Sequence, residues 1–114
     1  MSIYVLHGLR PWLIQRVSAV YLAMFVVYIG VVLAFAKDVT FQQWHEWLFH
    51  PFNTIACGLF VIALLFHAWI GMRDVVLDYV HNTFVRMIAF SLIIVVLTGS
   101  GLWAARILLL TVAI

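Results

Sequence analysis

Charged residues are scarce in this chain. Lys and Arg number six and Asp and Glu four among 114 residues, while 68% of the residues are hydrophobic. A soluble domain of this length needs far more charge to cover its surface, and six basic residues are too few to indicate a nucleic-acid-binding protein. The mean hydropathy of +1.20 instead predicts a small all-α integral membrane protein.

Cysteine is almost absent as well. Cys57 is the only one, so an internal disulfide, an all-cysteine metal site and an iron–sulfur cluster are excluded for this chain. It lies within an apolar run, and we interpret it as a small packing residue. The sequence also lacks repeats, low-complexity stretches and linkers, so we predict a single domain over residues 1–114.

Three long apolar runs predict three transmembrane helices. The first has 20 residues without a charge, and at about 1.5 Å rise per residue it covers roughly 30 Å, the thickness of the hydrocarbon core. Ala34-Phe35-Ala36 resembles a signal-peptidase site, but the run exceeds the roughly 7–15 residues of a signal core, so we expect the helix to be retained. The predicted spans are residues 17–36, 52–76 and 84–110.

The segments outside the spans predict the orientation. Residues 1–15 mix aromatic, basic and helix-starting residues, which suits the membrane interface. Residues 37–51 are predicted to form the first loop and residues 78–83 the second. With the N-terminus inside, four basic residues would face the cytoplasm and two the outside, which favours N-terminus in and C-terminus out. The four are Arg10, Arg16, Arg73 and Arg86; the two are Lys37 and Arg106.

One histidine, His67, lies deep inside an uncharged apolar run. A polar ring at that depth costs free energy unless it has a partner, so its default interpretation is functional. Ala63 and Gly71 flank it one turn to each side and would leave room for a flat macrocycle, and a neutral imidazole is a good axial ligand for haem iron. Alternatively, His67 hydrogen-bonds to a neighbouring helix and Gly71 only permits close packing. At helical spacing one stripe holds Ala56, Phe60, Ala63, His67, Gly71, Asp74 and Asp78.

The other histidines do not complete such a site. None of them is predicted to reach mid-membrane, so a second imidazole ligand for the same iron would come from another polypeptide. His45 and His50 lie beside Pro51 at a spacing that is poor for metal ligation, and we interpret them as surface residues.

Three residues near the predicted membrane boundary each have two interpretations. Arg16 is either a positive-inside flank or a guanidinium paired with a haem propionate, a planar anion that suits its forked donors. Tyr79 is either an interface anchor or a hydrogen-bond donor to a quinone carbonyl, with Asp78 as a nearby carboxylate that is otherwise simply solvated. Both would lie about 18 Å of helix rise beyond His67.

Together these residues resemble the cytochrome b membrane-anchor subunits of bacterial succinate dehydrogenase, respiratory complex II. The similarity covers nearly the whole chain, including Arg16 with Ser18-Ala19. Arg73-Asp74 departs from the family pattern, which carries uncharged residues there. The most specific part is Leu65-Phe66-His67-Ala68-Trp69-Ile70-Gly71-Met72 followed by Asp78-Tyr79-Val80.

The resemblance implies a role for each candidate residue. By it, His67 is an axial ligand of haem b, whose second axial histidine comes from a second cytochrome b anchor in the same complex. Arg16 is an arginine at the haem propionates. Tyr79 hydrogen-bonds ubiquinone, with Asp78 as its acidic neighbour. It also implies an all-α fold of three spans that forms half of a haem-binding helical bundle in the bacterial inner membrane.

The resemblance implies partners too. A flavoprotein carrying FAD and an iron–sulfur protein would dock on the cytoplasmic face and pass electrons from succinate to ubiquinone, so this chain alone is not an enzyme. Two other functions stay open from the residues themselves. One is a haem-free anchor of quinol:fumarate reductase, in which His67 is a packing residue. The other is a small self-associating transporter.

Overall fold

Four α-helices make up the part of the chain that the structure, a computed structural model, describes. That part covers residues 3–113, with side chains from 8 to 110, so the ends of the predicted interface segment and of the predicted domain lie outside the described residues. No strand occurs within it, which confirms the all-α prediction. The helices are α1 (Ile3–Phe35), α2 (Phe41–Phe49), α3 (Pro51–Tyr79) and α4 (Thr83–Ala113).

Three of these helices are long and apolar enough to cross a membrane, which confirms the predicted number of spans. Each begins earlier than its hydropathy suggested, and α1 runs without a break through the segment expected at the interface. A backbone in a low-dielectric environment must satisfy its own hydrogen bonds, so a helix that enters a membrane gains from extending past its apolar core. The candidate spans are Gly8–Phe35, Pro51–Tyr79 and Thr83–Leu110.

The long helices form a layer with α3 in the centre. Helices α1 and α4 each pack antiparallel along α3, and within the described chain they do not pack against each other. Hardly any of the apolar surface is covered as a result: Leu48, Ile70 and Val76 are the buried hydrophobic residues. The broad apolar faces must be covered by lipid or by other polypeptides.

Residues 37–51 do not form a simple loop, contrary to the prediction, because α2 lies within them. A capping box starts this helix: the Thr40 hydroxyl accepts from the Gln43 backbone N–H at 3.2 Å, and the Gln43 side chain accepts from the Thr40 N–H at 3.4 Å. Reciprocal caps of this kind satisfy two orphan donors and favour even a short helix. Helix α2 then packs on α3 and α4 through its buried Leu48.

Both histidines of this region have structural contacts. The His45 ring stacks on Phe49 with ring centroids 6.4 Å apart. His50 is the N-cap of α3, and its Nδ1 accepts from the Phe52 backbone N–H at 3.3 Å. These contacts explain both residues without a metal ion.

A buried amide links α1, α2 and α3 at the end of the layer where α2 lies, which we call the α2 end. The Tyr28 hydroxyl donates to Asn53 Oδ1 at 2.7 Å, and Asn53 Nδ2 donates to the Trp47 carbonyl at 2.8 Å. Asn53 is only 7% exposed. Because both ends of its side-chain amide have partners, Asn53 sets the register of α1 and α3 at small cost.

One glycine of α4 lies directly against a side chain of α3. A Cβ added at Gly101 would lie 2.8 Å from Leu65 Cδ1, whereas one added at Gly99 would meet nothing within 4 Å. Of these two glycines, Gly101 therefore contacts α3 and Gly99 does not.

Candidate functional site

The stripe that carries His67 faces α1. Phe60 stacks on Phe25 at 4.6 Å, and the Ala56 carbonyl accepts from the Tyr21 hydroxyl at 2.7 Å. Farther along, Ser18 meets His67 and Gln15 lies beside Gly71, so α1 and α3 run antiparallel and the His67 ring lies in the α1–α3 seam, about midway along α3. The expected helical stripe is thus the packing face toward α1.

His67 has one partner in that seam. Its Nδ1 lies 3.3 Å from the hydroxyl oxygen of Ser18, a residue that is only 6% exposed. The same hydroxyl donates its single proton to the Gln15 carbonyl at 3.1 Å. Since that proton is committed, the contact is satisfied when Nδ1–H donates to the Ser18 oxygen. With the Ser18 proton on the Gln15 carbonyl, this arrangement favours the tautomer in which the lone pair is on Nε2.

The second ring nitrogen of His67 is left open. Nε2 makes no hydrogen bond with any residue between 8 and 110, and the one buried polar side-chain atom without a partner in that range is Gln15 Oε1. Nε2 is therefore not sealed inside the three-helix layer, and His67 as a whole is half-buried. A groove of about 420 Å³ follows the α1–α3 seam beside Ser18 and Ala63.

The sequence suggested room for a macrocycle beside both small neighbours of His67, but the structure leaves room beside only one of them. A Cβ at Gly71 would lie 3.8 Å from Gln15 Nε2, an ordinary contact with α1. Gly71 thus faces Gln15 of α1, although an alanine would also fit at this position. Ala63 in contrast lines the groove.

Arg16 and His67 are not in contact. Arg16 is exposed, and its guanidinium carbon lies 5.5 Å from the Trp12 ring centre in a cation–π contact. Two residues along a helix correspond to about 200° of rotation, so Arg16 and Ser18 occupy nearly opposite sides of α1. Arg16 does adjoin the groove region, because Val17 and Tyr21 line both its own hollow and the groove beside Ser18.

Asp78 and Tyr79 are the last two residues of α3 and not, as was predicted, part of the second loop, because the helix continues past the end of its apolar run. Both are exposed, Tyr79 by 79%. Neither side chain has a hydrogen-bond or ion-pair partner among the described residues. They lie about 18 Å along the helix from His67, so these residues form two separate sites rather than one.

The backbone around Tyr79 is held by α4. The Arg86 guanidinium donates to the carbonyls of Leu77, at 2.9 Å through Nη2, and of Val80 through Nε. The Arg86 side chain thus folds back onto the end of α3. Free carbonyls at a helix C-terminus attract a cation, which explains this position.

Arg73 and Asp74 neutralise each other. Arg73 Nη2 lies 3.2 Å from Asp74 Oδ1, with the two side chains 34% and 57% exposed. The pair therefore adds little net charge to the end of α3, and it leaves Asp78 as the carboxylate without a cation partner there. An exposed pair of this kind contributes little to stability.

Sequence reasoning missed Gln15 and Arg86 as site residues and noted Ser18 only as part of a resemblance. A serine near the start of an apolar run is a weak signal, because hydroxyls commonly bond back to their own helix. A flanking arginine is equally ambiguous. Ser18 and Arg86 are recognised as site residues only from their contacts with the helix opposite them.

Known proteins are similar to this one over nearly the whole chain. The sequence model of the family described as succinate dehydrogenase/fumarate reductase transmembrane subunit matches residues 3–112. A succinate dehydrogenase hydrophobic membrane anchor subunit from Coxiella burnetii is 32% identical over 102 residues, which are 90% of this chain and 89% of that protein.

Two further relatives carry the same name. The one from Rickettsia felis is 36% identical over 75 residues, covering 64% of this chain and 61% of that protein. The one from Rickettsia conorii is 35% identical over 74 residues, covering 64% of this chain and 59% of that protein.

Proposed function

The chain belongs to the succinate dehydrogenase/fumarate reductase transmembrane subunit family, and on that premise we propose a threefold function. It holds the soluble succinate-oxidising subunits at the bacterial inner membrane, binds haem b together with a second anchor subunit, and contributes to the site of ubiquinone reduction. Its partners are that second anchor, an iron–sulfur subunit and a flavoprotein with FAD.

The haem proposal rests on the open nitrogen of His67. A neutral imidazole whose Nδ1–H is held by a neighbour and whose Nε2 lone pair is free is the form that ligates iron. The Ser18 hydroxyl gives His67 that form. When bound, haem b supplies a one-electron redox centre. The second axial imidazole would come from the partner anchor, since His45 and His50 are engaged at the α2 end.

Arg16 would hold a propionate of the same haem. Its guanidinium is exposed in a hollow that shares Val17 and Tyr21 with the groove beside Ser18, and a forked donor suits a planar carboxylate. The contact with Trp12 limits the rotamers of the long side chain and so reduces the entropy lost on pairing.

The quinone proposal rests on Tyr79. Ubiquinone becomes ubiquinol by taking up two electrons and two protons; the electrons come from iron–sulfur centres in the partner and ultimately from succinate. The exposed Tyr79 hydroxyl can donate a hydrogen bond to a quinone carbonyl and so favour the negative charge that develops on its oxygen. The unpaired carboxylate of the neighbouring residue Asp78 would adjust how strongly that hydroxyl donates its hydrogen bond.

We infer the orientation of the chain in the membrane from the distribution of its basic residues. Four basic residues lie at the Tyr79 end of the layer and two at the α2 end. Lys and Arg counts set topology even where an acidic neighbour neutralises one of them. We therefore place the Tyr79 end and the N-terminus in the cytoplasm. The soluble subunits would dock there, close to Tyr79.

Purification of the complex through a tag on this chain tests the proposal. We expect three further polypeptides to co-purify, together with the sharp reduced bands of a low-spin, bis-imidazole haem b. The same polypeptides without haem would favour the haem-free fumarate reductase type of anchor. Recovery of this chain alone as a homo-oligomer would contradict the anchor role and favour a transporter.

A further inference from the structure

We propose that Arg86 is a positioning residue for the quinone site, because it holds the backbone on both sides of Asp78–Tyr79. The inference rests on the proposed role of Tyr79. One guanidinium donates to the carbonyls of Leu77 and Val80, which directly bracket that pair of residues. The orientation of the Tyr79 hydroxyl toward a quinone is thereby set from α4.

The bracket matters because the Tyr79 side chain has no partner among the described residues, while the backbone beside it is held by the hydrogen bond from the Val80 N–H to the Val76 carbonyl at 2.9 Å. Its side chain is 79% exposed and contacts no other ring. Tyr79 also ends α3, where carbonyls lack intrahelical partners and a helix normally frays. A residue that must present its hydroxyl to a reacting carbonyl therefore depends on its backbone for direction.

The turn that follows is built to keep Arg86 in place. Asn82 caps α4: its Oδ1 accepts from the backbone N–H of Phe84 at 2.9 Å and of Val85 at 3.2 Å. The Arg86 backbone N–H donates to the Asn82 carbonyl at 2.9 Å. Arg86 thus starts from a fixed point in the first turns of α4, and its half-buried guanidinium reaches back over a loop of three residues.

The geometry of the donor matters more than its charge. A guanidinium offers several N–H groups in a planar fork and can serve two separate carbonyls, whereas a lysine ammonium is a point charge at the end of a flexible stem. Arg86→Lys would keep the positive charge and the membrane topology but lose the bracket. It therefore separates positioning from electrostatics.

The test compares Arg86→Lys with Arg106→Lys in the purified complex. Arg106 is an exposed arginine at the opposite end of α4. We expect Arg86→Lys to lower kcat/KM for ubiquinone roughly tenfold or more, since small misplacements of an orienting group have effects of this size. The control should match the parent. Haem spectrum and succinate oxidation with an artificial acceptor should stay normal in both.

A double variant shows whether Arg86 acts through Tyr79. If it does, Arg86→Lys in a Tyr79→Phe background should cost little more than Tyr79→Phe alone, because groups that act as a unit are not additive. Faster amide hydrogen exchange at residues 78–80 should accompany the loss. Arg86→Gln, which keeps one amide donor and no charge, should behave like the lysine variant and replaces it if that variant fails to assemble.

The positioning role of Arg86 can be overturned without overturning the quinone role of Tyr79. A parental kcat/KM in the Arg86 variants, unchanged exchange at residues 78–80, or fully multiplicative losses in the double variant would overturn the positioning role while Tyr79 keeps its own. If Tyr79→Phe alone reduced ubiquinone at the parental rate, the quinone role of Tyr79 would fall, and with it this role of Arg86.

Discussion

The Ser18 hydroxyl oxygen lies 3.3 Å from Nδ1 of His67, across the seam between α1 and α3. The same hydroxyl donates its proton to the Gln15 carbonyl at 3.1 Å, so the direction of the whole relay follows from one proton. Helix α1 thus supplies a partner for Nδ1 that favours a lone pair on Nε2 of the imidazole on α3. This seam and the two ends of the layer can each be tested by substitution.

Replacing Ser18 by alanine should weaken the ligand without removing it. The variant loses the acceptor for Nδ1–H, which makes the imidazole less basic, and loss of such an outer partner typically costs about 10–100-fold in metal affinity. We expect faster haem loss and a higher haem midpoint potential, because a less basic ligand stabilises ferric iron less. Redox titration of the purified complex measures the second effect.

Ser91 and Ser18→Thr provide the controls. The Ser91 hydroxyl donates to the Met87 carbonyl at 2.8 Å on the exposed side of α4, so Ser91→Ala should leave the haem potential unchanged. Ser18→Thr keeps the hydroxyl and should restore the parental potential. A parental potential in Ser18→Ala would show that the hydroxyl does not tune the ligand.

Replacing His67 by alanine should remove one axial ligand. The low-spin, two-imidazole spectrum should disappear, and any haem that remains should be five-coordinate through the partner's imidazole, with different spin-state bands. Absorption and electron paramagnetic resonance spectra of the complex measure this. An unchanged low-spin spectrum would remove His67 from the ligand set, and the hydrogen bond to Ser18 would then be its whole role.

Replacing Tyr79 by phenylalanine isolates one hydroxyl, since the ring and its packing at the membrane boundary remain. Loss of a donor to a reacting carbonyl typically lowers the rate by about a hundredfold. Ubiquinone reduction should fall to that extent, while haem content and succinate oxidation with an artificial acceptor stay near the parental values. Undiminished quinone reduction would leave Tyr79 as an interface anchor only.

Replacing Asn53 by leucine should loosen the α2 end. The change leaves the Tyr28 hydroxyl and the Trp47 carbonyl without partners, at a cost of about 1 kcal/mol. The double variant with Tyr28→Phe should lose less than the sum of the two single variants, because the unpaired hydroxyl is gone.

Thermal denaturation of the complex measures these losses. Gln42→Ala is the control, since the Gln42 amide donates to Glu46 at 3.1 Å on the exposed face of α2 and its loss should fall within about 0.5 kcal/mol of the parent. Strict additivity of the Tyr28 and Asn53 variants would contradict a shared network.

Part of the fold could be predicted because it depends on short stretches of sequence. The three spans follow from uninterrupted apolar runs, since transfer into lipid depends on the summed hydrophobicity of a segment and little on what lies beside it. The helix α2 was missed although its signal is local. Thr40 and Gln43 stand at capping-box spacing before an apolar face, but nine residues between two long spans are easily interpreted as a loop.

The depth of His67 in an apolar run is likewise a property of the sequence, whereas the sequence placed Tyr79 in the second loop and the structure places it at the end of α3. What surrounds them was decided by tertiary structure. Ser18 meets His67, Gln15 meets Gly71 and Arg86 returns to Leu77 and Val80 because α1 and α4 pack on α3 in one register. That register results from many weak contacts along whole helices and from the amide at Asn53, so no local pattern encodes it. The sequence alone therefore determines how often the chain crosses the membrane and which side chains are unusual there, while helix packing determines which atom of each is held and which is free.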